Sequence, residues 1–272
     1  MGSDIRRFYR LISVLSIDVV AGAVIGSIFF AHILQAQIQI SELVALALTV
    51  WIIYTADHLS DAKKIKRTAS TDRHRFHQQH AQHLKSILAI CLLIDGAAVL
   101  FINPEIIKWG VVLAFLVLVF LIIQQSIPWM KEIVIAVFYT CGVILPSISR
   151  VHNPLDTAHY LLILQFMMIA LTNLMLFSWF DRTTDAIDGL RSFVTVAGES
   201  KTRIAIITLA FLQLLLTGLQ YFVFHIAEVA FLMGIMGVIL GIIFLLQRKY
   251  DDSTLARFLA EAVFLIPIVS LL

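Results

Sequence analysis

The side chains best placed to do chemistry are the aspartates of residues 180–189, FDRTTDAIDG, where an apolar stretch runs out into polar sequence. Asp181 and Asp185 are four residues apart, so on a helix they stack on one face. Two anions placed in this way repel each other unless something positive sits between them. Hard divalent cations take carboxylate oxygens as ligands, which makes such an ion the natural partner. Residues 54–61, YTADHLSD, repeat the pattern with Asp57 and Asp61, again at the end of a long apolar run. Two matching acidic helix ends in one chain suggest two halves of a shared site.

The elements carrying these acids read as membrane spans. The chain has 272 residues, 60% of them hydrophobic and 14% charged, with a mean hydropathy of +0.93. Ordinary soluble domains are roughly half apolar and a quarter charged. Nine apolar runs are each long enough to cross a hydrocarbon core of roughly 30 Å as a helix: 10–34, 40–57, 84–102, 106–126, 132–148, 158–180, 204–224, 227–246 and 255–272. The expectation is an all-α, polytopic integral membrane protein, a bundle of nine transmembrane helices with cytoplasmic cap loops. It forms a single domain over 1–272 with no room for a soluble one, and no nucleic-acid partner is expected. The first run lacks a small-residue cleavage site and reads as a retained span. Cys91 and Cys141 lie inside apolar runs and show no disulfide or metal-knuckle pattern.

Basic residues set the orientation. With the amino terminus inside, 18 of the 20 Lys and Arg fall on the inner side, Arg248 and Lys249 among them, and only Lys108 and Arg150 fall outside. Four spans separate Asp57 from Asp181, so both acidic ends emerge on the cytoplasmic face and can meet. The loop 62–85 between spans carries many cations and also His74, His77, His80 and His83. Steps of three drift around a helix. The histidines therefore read as part of a solvated interfacial segment, with a pH-sensitive or phosphate-contacting role as the alternative. Asp18, inside the first run, is either functional or a headgroup-level partner of Arg10.

Two carboxylate pairs facing one another across a bundle could hold Mg2+ bridged by a diphosphate, with Arg and Lys completing the charge balance. The bundle below would take an apolar tail. A lipid diphosphate satisfies both conditions.

The segment 181–198, DRTTDAIDGLRSFVTVAG, resembles the second aspartate-rich motif of the UbiA superfamily of intramembrane prenyltransferases, with Asp181, Asp185, Gly189, Arg191, Ser192 and Gly198 in place. That family's first motif is Asn-Asp-x-x-Asp-x-x-x-Asp followed by basic sequence, and Asp57 and Asp61 match its last two acids. IKRT at 65–68 and PWMK at 128–131 also resemble family sequence, and the likeness covers nearly the whole chain. Ile53 and Tyr54 stand where the family has Asn and Asp, and a neutral phenol is a poor Mg2+ ligand.

The resemblance implies that Asp57, Asp61, Asp181 and Asp185 hold Mg2+ on the diphosphate of a prenyl donor, aided by Arg67, Lys131, Arg182 and Arg191. Tyr54, His58, Tyr139 and Asp188 would act in support: Tyr139 could present its ring to a cation, and Asp188 could steady a basic neighbour. The implied partners are a prenyl diphosphate, a lipophilic or aromatic acceptor such as a quinone precursor, and membrane lipids. A terpene cyclase of the same superfamily is the alternative, and a non-catalytic cation-binding protein or transporter a lesser one. Asp185, Asp188 and Gly189 also imitate the start of the CDP-alcohol phosphotransferase motif, but Ser192 and Phe193 replace the Ala-Arg which that motif requires.

Overall fold

The computed structural model describes residues 3–124, 126–151, 154–247 and 253–271; Arg248 and Lys249 lie outside them. Every regular element among the described residues is helical. The order is α1 (Ser3–Val14), α2 (Ile17–Ile33), α3 (Ile40–Lys64), α4 (Asp72–Gln79), α5 (Ala81–Ala98), α6 (Pro104–Ile123), α7 (Lys131–Ile148), α8 (Thr157–Asp188), α9 (Phe193–Ala197), α10 (Glu199–Phe222), α11 (Ala227–Leu245) and α12 (Ser253–Ala262). Short 3-10 turns extend α5 at Val99–Phe101 and precede α7 at Pro128–Met130, and a longer one, Val263–Leu271, follows α12.

Among the described residues seven helices are long and apolar enough to cross a membrane, and the pair α1 and α2, bent by 73°, would raise the number to eight. Nine spans are therefore not found by this measure. The first expected span breaks at Ser16, whose φ of 55° is left-handed and cannot continue a right-handed helix. The last one changes from α-helix to 3-10 helix after Ala262, and Pro267, which has no N–H to donate, lies in its second part.

The bundle is built around α8. Its 32 residues make it about 48 Å long, well beyond the thickness of a hydrocarbon core. The acid-bearing last two turns therefore extend past the apolar slab. Leu162, Phe166, Ile169, Leu176 and Trp179 of this helix are fully buried, packed by α7 on one side and α10, α11 and α12 on the others. Polar side chains tie the apolar layers: Gln165 donates to Thr217 at 2.9 Å and Gln213 to Thr172 at 2.7 Å. In hydrocarbon such interhelical bonds are worth about 0.6–2 kcal/mol each. A Cβ on Gly234 would come 2.8 Å from Thr217 and one on Gly237 2.4 Å from Gln213, so these glycines allow α11 to lie close against α10. At the end of the bundle opposite the acids, Arg150 pairs with the buried Glu42 and so joins α7 to the start of α3. By contrast α5 and α6, joined by one turn, hardly touch each other.

Candidate functional site

Both acidic motifs sit where long helices end. Helix α8 stops at Gly189, whose φ of 72° is the left-handed conformation that closes a helix, and Leu190 N–H donates to Asp185 C=O at 2.9 Å. This accounts for the glycine four residues after Asp185. Helix α3 stops after Lys64, and the chain turns through 65–71 into α4, capped by Thr71, whose hydroxyl oxygen accepts from His74 N–H.

Asp57, Asp61, Asp181 and Asp185 all line one cavity of ≈ 1010 Å³. Lys131 spans the first pair, 3.9 Å from Asp57 and 3.3 Å from Asp61. Lys64 also binds Asp61 at 2.7 Å, and Gln124 donates to Asp57 at 3.0 Å. Across the cavity Asp181 pairs with Arg257 of α12. Tyr54, His58, Tyr139 and Arg191 line the same cavity. Its remaining wall is largely apolar, drawn from α3, α6 and α7, including Val50, Ile53, Leu113, Val117 and Phe138.

Two expected diphosphate contacts are placed elsewhere. Arg67 leaves the cavity to bind Ile187 C=O and Asp188, and Arg182 binds Glu199 at 2.9 Å and lies over the Trp179 ring. For Arg182 the reason is helical direction, since a residue next to Asp181 points about 100° away from it around α8. Arg67 lies in the turn after α3, which carries it to the end of α8 instead. Two other arginines take that place. Arg73 of α4 reaches into the cavity, with Nη1 3.4 Å from His58 Nε2, and Arg257 does so from α12. Nothing in the sequence singles Arg73 out from the other cations of its loop, and Arg257 lies 76 residues from Asp181.

Asp188 lies outside the cavity with a fully buried side chain. It accepts from Ser70 N–H at 2.9 Å and from the Ser70 hydroxyl at 2.6 Å, and Arg67 lies 3.4 Å away. It therefore fastens the loop following the first motif onto the end of the second. Asp188→Ala leaves the Ser70 N–H buried without its acceptor, a loss of about 1–3 kcal/mol. Thermal unfolding should show the drop and limited proteolysis should cut faster within 65–71, whereas Asp188→Asn, which keeps an acceptor oxygen, should do neither fully.

The histidines of this loop are less solvated than their spacing suggests. His77 is buried and His74 lines the cavity, while His80 and His83 are exposed. His58 packs edge-on to both His74 and His77. Burial pushes the His74 imidazole down to about 4, so it stays neutral near neutral pH, and burial lowers that of His77 as well. Burial also brings the Arg73 guanidinium down to about 10, which leaves it a cation. Asp18 is buried against its own helix start, donating nothing and accepting from Val19 N–H at 3.0 Å, while Arg10 pairs with Asp72 at 2.6 Å. A water-sized cavity of ≈ 10 Å³ lies between Tyr54, Tyr139, Asn173 and Glu261.

Among the described residues no three His, Cys, Asp or Glu side chains converge closely enough to hold a metal ion unaided. The four cavity aspartates nonetheless suit a cation shared with a second oxygen donor. They are hard ligands on opposite walls of one space, and Mg2+ typically takes one or two carboxylates together with water and phosphate oxygens.

Comparison with protein-family models gives no match, and no curated protein matches at a significant level. Solved structures do match. A UbiA homologue from Archaeoglobus fulgidus, bound to DMAPP and Mg2+, is 13% identical with a TM-score of 0.65, over 96% of this chain and 99% of its own. An apo UbiA homologue from Aeropyrum pernix K1 is 12% identical with a TM-score of 0.64, over 94% and 98%. A digeranylgeranylglyceryl phosphate synthase in membranes is 16% identical with a TM-score of 0.57, over 98% of each chain. The class is that of integral, multi-pass helical membrane proteins. Within it, the chain has the UbiA fold along nearly its whole length.

Proposed function

We propose that this protein is a magnesium-dependent intramembrane prenyltransferase. It moves an isoprenoid group from a prenyl diphosphate to a lipophilic or aromatic acceptor and releases pyrophosphate. The observation that carries this reading is the shared cavity: the two acid pairs and their cations stand at one end, above a largely apolar hollow. The fold is also that of a homologue whose structure holds DMAPP and Mg2+. The positive-inside bias of the loops favours a cytoplasmic position for the amino terminus and the acidic end.

In this reading Asp57, Asp61, Asp181 and Asp185 would hold the metal, which when bound supplies a Lewis acid for the charge growing on the leaving diphosphate. Lys131, Arg73 and Arg257 add positive charge at the same end, largely withdrawn from water, where it acts most strongly, and the more exposed Arg191 adds to it from the cavity rim. Arg257 and Lys131 now neutralise the acids and would turn toward the phosphate oxygens once the donor is seated. The tail lies against Val50, Val117 and Phe138 and keeps water from the developing allylic cation. Tyr54 and Tyr139 stand below the acids with rings that can face this charge.

The test is pyrophosphate release by the purified protein from a series of allylic diphosphates. Release should require Mg2+ and stop on chelation with EDTA. Release indifferent to the chelator would overturn the magnesium dependence, and no release from any donor would favour a non-catalytic or scaffold role. Cyclic hydrocarbon formed from donor alone would identify a cyclase in place of a transferase.

A further inference from the structure

The cavity continues well below the acids. One face of α3 forms its wall from Asp61 down to Glu42, which is 19 residues and about 28 Å, nearly the depth of a hydrocarbon core. Between Tyr54 and Glu42 the wall supplied by α3, α5 and α6 is apolar at every position except two. These are Thr49 and Asp95, which face each other across the helices, the Thr49 hydroxyl donating to Asp95 Oδ2 at 2.9 Å. Glu42, at the bottom, is already satisfied by Arg150 and by Gln39 N–H at 2.9 Å. Asp95 is different. A carboxyl group takes several hydrogen bonds, and Thr49 supplies one.

We propose that the Thr49–Asp95 pair sets the length of the prenyl donor by placing a polar patch on the α3–α5 wall of the tail cavity. This rests on the prenyl-diphosphate reading above. Thr49 lies eight residues before Asp57, about 12 Å along the helix. An extended isoprene unit of four chain carbons, with bonds near 1.5 Å, spans about 5 Å. Two or three units therefore fit between the acids and the polar patch, which selects donors of about 10–15 carbons. A longer tail has room below, but to use it the chain must slide past Asp95 and cover with hydrocarbon the acceptor sites that Thr49 does not fill. An unmet polar group of this kind carries a substantial penalty. Polarity, not volume, is the limit. Removing the polarity without enlarging the space should then lengthen the donor that the enzyme accepts.

The experiment measures kcat/KM for Mg2+-dependent pyrophosphate release from donors of 5, 10, 15 and 20 carbons. The proteins are the wild type, Asp95→Leu, Asp95→Asn and Thr49→Val, each checked for folding by thermal unfolding in detergent. In the wild type the 20-carbon donor should be slower than the 15-carbon donor by about tenfold or more. In Asp95→Leu that ratio should close, in Thr49→Val it should narrow, and in Asp95→Asn, which keeps the polar group, it should persist. A wild type indifferent to length, or a length profile identical in the wild type and Asp95→Leu, overturns the proposal and leaves the prenyltransferase reading standing. Absence of release from every donor overturns both.

Discussion

Asp181→Ala is expected to lower Mg2+-dependent pyrophosphate release by about 10²–10³-fold, comparable with losing one preorganised stabiliser of developing charge. Asp181 lies on the α8 side of the cavity, facing the acids of α3, and its partner there is Arg257. Removing it takes away one wall's contribution to cation binding and leaves the guanidinium without its ion-pair partner in a nearly buried position. Both effects should appear. The Mg2+ concentration giving half-maximal release should rise, and the rate at saturating Mg2+ and donor should still fall, because charge balance around the leaving group is altered. Asp181→Glu keeps the charge and should recover part of the first loss and less of the second. Kinetics indistinguishable from wild type for Asp181→Ala would remove this acid from the site.

Lys131→Met is expected to produce the second largest change, and it separates stability from turnover. Lys131 is a mostly buried ammonium shared by two carboxylates, at 3.9 Å from Asp57 and 3.3 Å from Asp61, and it ties α7 to α3. Methionine fills similar space without charge, so the acids lose their common counter-ion. Removing one partner of a buried ion pair costs about 3–5 kcal/mol. At about 2–4 °C per kcal/mol for chains somewhat smaller than this one, Tm in the absence of metal should fall by roughly 6–20 °C. Added Mg2+ with inorganic pyrophosphate should return much of that loss, since a cation bound by the same acids stabilises the folded state through linkage. Release should stay low, about 10²-fold down, because the ammonium no longer faces the phosphate. A Tm and a rate both unaltered by Lys131→Met would contradict the placement of this residue at the head of the cavity.

The acids were legible in the sequence because a membrane span makes polar residues conspicuous. Asp57, Asp61, Asp181 and Asp185 end apolar runs at i, i+4 spacing, and parity of the spans alone brings them to one face. Lys131 was legible through PWMK. Less could be read of the arginines. Arg67 and Arg182 were chosen because they lie near the motifs; adjacency on α8 turns Arg182 away from the face of Asp181, and Arg67 follows the turn after α3 to Asp188. Arg73 and Arg257 arrive from α4 and α12, and the tertiary contacts that carry them there leave no periodic trace. The span count also depended on geometry that hydropathy does not record, since apolar residues continue through the bend at Ser16 and through the 3-10 turn after Ala262. Asp188 read as a supporting residue that could steady a basic neighbour; in the structure its fully buried carboxylate lies beside Arg67 and holds Ser70, which joins two loops. The deep pair Thr49–Asp95 could not be read as a unit, because 46 residues separate partners that two packed helices place side by side.

The most direct measurement of the central claim is a double-mutant cycle on Mg2+-dependent binding of geranyl diphosphate, followed by calorimetry, for wild type, Asp57→Ala, Asp181→Ala and the double variant. Acids that act on one bound metal-diphosphate are coupled, so the double variant should weaken binding by clearly less than the product of the two single losses. Independent losses that multiply in full, or binding that needs no Mg2+ in the wild type, would contradict a single shared site.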